Sequence, residues 1–202
     1  MYADGITQEI IDKATAFHGH WCGGLAIGIR AAVWAMQNFG TASDEEIVTV
    51  TETDMCGVDA IQALVGCTFG KGNLIFRDKG KVAFTFYRRR DGKSLRIVAK
   101  NRDDDLKKRM QELRIQLTAQ NISEWIRTKL EAEFIRLRKK DLDFVLTAPF
   151  EELFDIKPAH DEMPAMAKRL PTILCESCGE GVMASRIVRE NGRQLCMDCA
   201  GK

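Results

Sequence analysis

Residues 175–202 read CESCGEGVMASRIVRENGRQLCMDCAGK, and this stretch decides how the chain divides into folded units. Cys175-x2-Cys178 and Cys196-x2-Cys199 are separated by seventeen residues, a spacing at which four thiolates close a tetrahedron around Zn²⁺. About thirty residues cannot bury enough apolar surface to offset chain entropy, so metal binding has to supply the folding free energy. The expectation is a structural Zn²⁺ site with Cys175, Cys178, Cys196 and Cys199 as ligands. Gly179 and Gly181 permit the turn of a knuckle, and residues 182–188 and 194–195 read as short strands around Asn191-Gly192. Both central positions of such a hairpin turn take positive φ, which Asn-Gly tolerates. The pattern is that of a ribbon or treble-clef finger. Two disulfides or a CxxC redox pair is the competing reading, but redox motifs seldom come as spaced doublets.

Working toward the N-terminus, residues 148–172 hold all four prolines and read as the connection to the finger. The division expected is an α+β core over 1–157 with a helical arm at about 103–140, a linker over 158–172, and the finger over 173–202. No run of eighteen apolar residues is present, and the first residues lack the order of a secretory signal. Seven cysteines, four of them in metal spacing, fit a reducing compartment. A cytoplasmic protein with no membrane partner is expected.

Within the core, Ile6, Ile10, Ile11 and Ala14 recur at helical spacing over residues 6–17. Residues 24–39 are apolar almost all round, which implies a buried helix stopped at Gly40. Residues 46–53 alternate as a strand, 58–65 form a short helix, and 81–87 and 95–99 are strands joined through Asp91-Gly92. Strands beside strands indicate an antiparallel sheet packed by helices. Asp103, Asp104 and Asp105 favour the start of a helix to about residue 119, and Ser123 caps the next. These two helices form an arm that lies either on its own sheet or on a second subunit.

Charge is divided along the chain: residues 1–60 carry nine acidic and two basic side chains, residues 77–100 nine basic and two acidic. Arg88, Arg89, Arg90, Lys93, Arg96 and Lys100 read first as solvated hairpin residues and second as a face for an anion. Nucleic acid is not expected, since no aromatics interleave with these cations and the sequence pI is 7.6.

The second chemical feature is FHGHWCGG, residues 17–24, between the first helix and the buried one. If the stretch is extended, His18, His20 and Cys22 fall on one side, because side chains alternate. Cys22 also precedes a helix N-terminus, where the positive end of the dipole favours thiolate. Gly23 and Gly24 allow close approach of a backbone or ligand. Cys56 stands at another strand-to-helix junction and is a candidate to join the site. Cys67 opens CTFGKGN, a glycine-rich loop without Walker spacing, in which Lys71 and backbone amides offer an anion grip. Cys67 itself reads equally as a small core residue.

The runs FHGHWCGGLAIGIRAA and CGVDAIQALVGCTFGKGNL, with the C-terminal four-cysteine finger, resemble the E-subunit family of formylmethanofuran dehydrogenase, a methanogenesis-related family. The resemblance implies an α+β core that dimerises, a His/Cys cluster at His18, His20, Cys22 and Cys56, and an auxiliary treble-clef zinc finger. Relatives commonly place proline after the first cysteine, where this chain has Gly23, a change that loosens the turn without removing a ligand. Formylmethanofuran chemistry uses a molybdenum or tungsten pterin and iron–sulfur clusters, and no CxxCxxCxxxC run offers ferredoxin-type ligation here. The role implied is an accessory subunit of such an oxidoreductase, or a metal- or cofactor-handling protein.

Two classes of function follow. In the first, the core pocket binds a transition metal or a pterin-type cofactor; Cys22 serves as thiolate ligand or nucleophile and His20 as ligand or proton carrier, with His18, Cys56 and Lys71 holding the cofactor. In the second, the protein is a regulator or adaptor, because the finger also resembles those of factors that enter the RNA polymerase secondary channel with a helical hairpin. The partners expected are a second copy of the chain and the subunits of a partner enzyme.

Overall fold

Alternation along the strands explains the layering of the core. In β1 (Ile47–Thr51), Ile47 belongs to the main apolar core with the helices, while Val48 and Val50 join a separate cluster on the opposite face of the sheet. β3 (Ala83–Arg88) does the same, with Phe84 and Phe86 turned to the helices and Tyr87 to the other side. The computed structural model describes every residue except Met1, Asp4, Asp103, Asp104 and Arg169. The helix-start reading of Asp103 and Asp104 lies outside the described residues. The chain separates into two units, Met1–Met166 and Ala167–Lys202.

The first unit is a five-stranded sheet in the order β2-β1-β3-β4-β5, with β2 Leu74–Phe76, β4 Ser94–Ala99 and β5 Phe154–Lys157. The all-antiparallel expectation is corrected at one edge, because β2 pairs parallel to β1. The connection runs through α3 (Gly57–Ala60), which widens into a π turn at Ile61–Val65, and such a crossover returns the chain to the same end of the sheet. Three residues are too few for alternation to betray β2. β5, four residues long, sits among the prolines, so its pairing with β4 is settled by the sheet edge it completes.

Helix α1 (Gln8–His18) and the long α2 (Gly23–Phe39) cover one face. The C-terminal carbonyls of α2 are met by cations of the β3–β4 hairpin. Arg88 donates to the Asn38 and Phe39 carbonyls and Lys93 to that of Asn38. These side chains, read from sequence as solvated, cap the negative end of a buried helix. The hairpin is wider than a two-residue Asp-Gly turn: Tyr87 pairs with Ser94, and of Asp91 and Gly92 only Gly92 has positive φ.

The opposite face is covered by residues 159–164, the first half of the stretch read as a linker. Ala159 and Met163 pack on Val48, Val50 and Tyr87, the Tyr87 hydroxyl donates to the Asp161 carbonyl, Arg77 pairs with the Asp161 carboxylate, and Arg89 donates to the Pro164 carbonyl. The same face holds a bidentate pair, Arg96 to Glu52 at 2.7 and 2.9 Å, both side chains buried.

The arm consists of α4 (Asp105–Leu117) and α5 (Glu124–Thr147), the latter capped by the Ser123 hydroxyl as expected. Arg109 clamps Glu133 across the two helices at 2.9 and 3.1 Å, and Leu113 is fully buried. The last part of α5 contributes Val145 and Leu146 to the main core, whereas Ile115, Trp125, Ile126 and Ile135 are exposed. A one-turn helix α6 (Phe150–Leu153) leads into β5. Among the described residues no helix is long and apolar enough to cross a membrane.

The second unit contains two small hairpins, β6 (Thr172–Leu174) with β7 (Gly181–Met183) and β8 (Val188–Glu190) with β9 (Arg193–Leu195). The β8–β9 turn is the Asn191-Gly192 pair, with φ of 49° and 79°, the two positive values that the dipeptide predicted. Residues 197–201 after the last strand form turns.

Candidate metal centre

Four sulfurs meet in the C-terminal unit: the Sγ atoms of Cys175, Cys178, Cys196 and Cys199 lie within 4.8 Å of one another. Cys178 and Cys196 are 3.9 Å apart, close to the ~3.8 Å separating two thiolates bound tetrahedrally at Zn–S ~2.3 Å. Backbone N–H groups point at these sulfurs, from Ser177 and Cys196 to Cys175 and from Cys199 to Cys196. The N–H groups of Cys178, Cys196 and Ser177 hold the Cys175 thiol down to about 6. Cys178 gains an N–H from Glu180, yet desolvation and the thiols of Cys175, Cys199 and Cys196 push it up to about 12. So much potential negative charge in one place needs a cation, and the donor set suits Zn²⁺.

The core cluster is assembled by a helix stop, a turn and a helix start rather than by an extended strand. His18 is the last residue of α1; Gly19, at φ 88°, caps that helix and turns the chain, and Cys22 is the N-cap of α2. Convergence of the three residues was legible in the sequence, but the alternation invoked for it is not its cause. The ligand atoms of His18, His20 and Cys22 lie within 4.8 Å of one another. His18 Nε2 is 3.8 Å from Cys22 Sγ, near the ~3.5 Å expected for an imidazole and a thiolate sharing one tetrahedral ion. Cys22 Sγ accepts the Leu25 N–H at 3.3 Å, so the sulfur faces the positive end of a seventeen-residue helix. The Arg138 guanidinium of α5 holds the loop by donating to the Trp21 carbonyl.

Asp59, on α3, was not read from the sequence as part of the site. Its carboxylate is 2.7 Å from His18 Nδ1, which leaves Nε2 facing Cys22. Gln62 Nε2 donates to the other Asp59 oxygen and Gln62 Oε1 accepts the Phe69 N–H. Carboxylate support of this kind orients a ligating imidazole and raises its basicity. The only available signal was an acidic residue three positions after Cys56, in the first turn of a helix.

Cys56, the N-cap residue of α3, lies beside this cluster. A Cβ built on Gly24 would sit 3.6 Å from Cys56 Sγ and 3.9 Å from Cys22 Sγ, so the two thiols flank one glycine. Burial, then the neighbouring Cys22 thiol, pushes the Cys56 thiol up. The approach of α3 to α2 depends on Gly28, whose absent side chain leaves room for the Gly57 backbone. The remaining sequence candidates lie elsewhere. Lys71 Nζ donates to the Ala42 and Ser43 carbonyls at 3.2 and 3.4 Å. Cys67 is fully buried, its thiol facing the Ile47 carbonyl at 3.4 Å and pushed up to about 11 by burial. The glycine-rich loop is closed around buried Asn73, which bonds Thr68, Asp44 and Ile47.

Comparison with known proteins bears on the family, the fold and the four-cysteine finger. Residues 17–155 match the family described as FmdE, molybdenum formylmethanofuran dehydrogenase operon, and residues 168–202 match the prokaryotic dksA/traR C4-type zinc finger. A probable S-adenosyl-L-methionine-binding protein of Archaeoglobus fulgidus is 30% identical over 96% of this chain; the chain spans 53% of that relative's length. The crystal structure of an FmdE-like protein of the tungsten formylmethanofuran dehydrogenase type, from Syntrophus aciditrophicus, shares the fold, with a TM-score of 0.61 at 22% identity, covering 100% of this chain and 97% of that one. The match over residues 17–155, more than half of the chain, makes this protein a member of the FmdE family, with a C4-type zinc finger following the family domain.

Proposed function

We propose that His18, His20 and Cys22 bind a transition metal in the core, with Cys56 beside them as a further thiol ligand, and that the protein acts as a metal- or cofactor-handling accessory to a formylmethanofuran dehydrogenase-type enzyme. The observation that carries this reading is the contact between the Asp59 carboxylate and His18 Nδ1, which aims the free imidazole nitrogen at Cys22. A mixed imidazole and thiolate set favours zinc and other borderline or soft metals over magnesium or calcium. Cys22 would serve as thiolate ligand or nucleophile, and exposed His20 as the ligand or proton carrier nearest solvent. Seven free cysteines suit a reducing cytoplasm, and the exposed apolar residues of the arm suit a homodimer.

Metal content of the full chain tests the reading. Cys22→Ser should lose the core equivalent and keep the zinc of the finger, with little change in stability because volume is nearly conserved. Asp59→Asn should weaken core binding by about 10–100-fold. Core metal that survives Cys22→Ser would overturn the proposal.

A second reading, an adaptor that binds RNA polymerase, is supported by the dksA/traR finger match and by the two-helix arm. Polymerase pull-down with a metal-free core would favour it. The S-adenosyl-L-methionine in the name of the Archaeoglobus relative is a third ligand to titrate, since this chain matches about half of that protein.

A further inference from the structure

We propose that the cavity beside the two core thiols binds an organic anion, its apolar body on the sheet and its charge held by a cationic rim. The cavity, about 710 Å³, lies between the start of α2, the ends of β3 and β4, and the two arm helices. That volume is of the order that encloses a cofactor-sized molecule. Its floor is apolar, formed by Ile27, Phe84, Val98 and Val145. Its rim is strongly one-signed. Five cationic side chains line it, among them Lys81, Lys100, Arg102 and Arg114, against one carboxylate, Asp141, among the described residues. Asp141 and Arg102 neutralise each other at 2.5 Å and Lys100 pairs with Asp155 at 3.4 Å, so the positive sign of the rim rests on the other cations, Lys81 and Arg114 among them.

Cations around a low-dielectric floor focus positive potential into the cavity. The first turn of α2 adds to it, because Gly23 and Gly24 form part of the wall and that turn holds no acidic residue. A neutral apolar molecule would leave the rim unused, and a small inorganic anion would leave the floor uncovered. A molecule with both an apolar body and a carboxylate, phosphate or sulfonate group matches both.

Gly24 connects this cavity to the chemistry. It lines the cavity, and a Cβ there would stand 3.2 Å from Cys56 Cβ and within 4 Å of both thiol sulfurs. The inner end of the cavity, walled by Gly23, Gly24 and Gly57, is therefore next in sequence to Cys22 and Cys56, neither of which lines it. The inference rests on the metal-centre reading only for what happens at that inner end; occupancy of the cavity is read independently.

The test uses the full zinc-loaded chain and two fluorescent probes of nearly the same body, anionic 8-anilinonaphthalene-1-sulfonate and neutral N-phenyl-1-naphthylamine. The sulfonate should bind with one equivalent, and the neutral probe should bind at least tenfold more weakly. Lys81→Glu with Arg114→Glu should weaken the sulfonate about tenfold, equivalent to ~1.4 kcal/mol, and leave the neutral probe unchanged. Gly24→Val should block it, while Cys22→Ser should leave its affinity within about twofold. Displacement by decanoate or by adenosine monophosphate then assigns the natural head group to a carboxylate or a phosphate. Equal binding of the two probes, indifference to charge reversal, or displacement by neither competitor overturns the proposal. Core metal uptake with charge-independent probe binding removes this inference and leaves the metal centre standing; charge-dependent binding without core metal does the reverse.

Discussion

Replacing Gly28 with alanine should separate the two halves of the core site. The new Cβ would stand 2.4 Å from Gly57 Cα, 2.5 Å from its carbonyl oxygen and 2.8 Å from its carbonyl carbon. Carbon atoms in contact prefer ~3.5–4.0 Å, so α3 has to retreat by about 1 Å. All three clashing atoms are backbone, and no rotamer change relieves them. Overpacking of this kind costs ~1–3 kcal/mol or more, against a helix-propensity gain of ~1 kcal/mol for alanine over glycine. With three backbone clashes the cost falls at the upper end of that range, and the net expectation is a loss of about 2 kcal/mol. Because α3 carries Cys56 and Asp59, the same shift lengthens the 2.7 Å Asp59–His18 contact and takes the second thiol away from Cys22. Urea denaturation of the full chain reads the stability, and elemental analysis reads the metal, which should fall to the finger's equivalent alone. Gly23→Ala is the control, since nothing lies within 4 Å of its Cβ position, and it should cost nothing. A Gly28→Ala protein as stable as the parent with its core metal retained would refute the argument that this close approach builds the site.

Three further outcomes are expected. Arg96→Met should destabilise the core by ~3 kcal/mol at pH 7, because it leaves the Glu52 carboxylate buried with no hydrogen-bonded cation and only Lys79, at 3.9 Å, to offset its charge. The hydrogen bonds from Arg96 hold the Glu52 carboxyl below its ordinary 4.5 in spite of desolvation, so the pair's contribution is complete above that value and lost as pH falls through the depressed one. The gap between parent and variant in urea titrations should therefore shrink below about pH 4, and a gap constant down to pH 2 would contradict the assignment. Strong chelation should open residues after about 172 to proteolysis while Met1–Met166 still unfolds cooperatively, since only the finger lacks an apolar core of its own; equally rapid loss of both would reject that division. Light scattering should give a dimer that Trp125→Ser with Ile135→Glu converts to monomer, and a parent chain monomeric at micromolar concentration would exclude the arm as the contact.

Local chemistry was legible in the sequence wherever the interacting residues are close along the chain. The CxxC pairs, the Asn191-Gly192 turn, the Ser123 cap and the amphipathic spacing of α1 each depend on a few neighbouring residues, so spacing alone located them. His18, His20 and Cys22 belong to the same class, since a helix stop and a helix start four residues apart bring them together by short-range geometry. The distant pairings were settled by tertiary structure. Strands of three and four residues, β2 and β5, have no period to read and exist because a neighbouring strand offers unpaired backbone groups. The basic hairpin looked solvated because nothing local shows that Arg88 and Lys93 end on the carbonyls of a helix some fifty residues away. Asp59 reaches His18 across forty-one positions, and only the contact between Gly28 and Gly57, two residues without side chains, allows the helices to meet closely enough for it. Sequence spacing determined which ligands this protein owns; the packing of α3 on α2 decided which of them share a site.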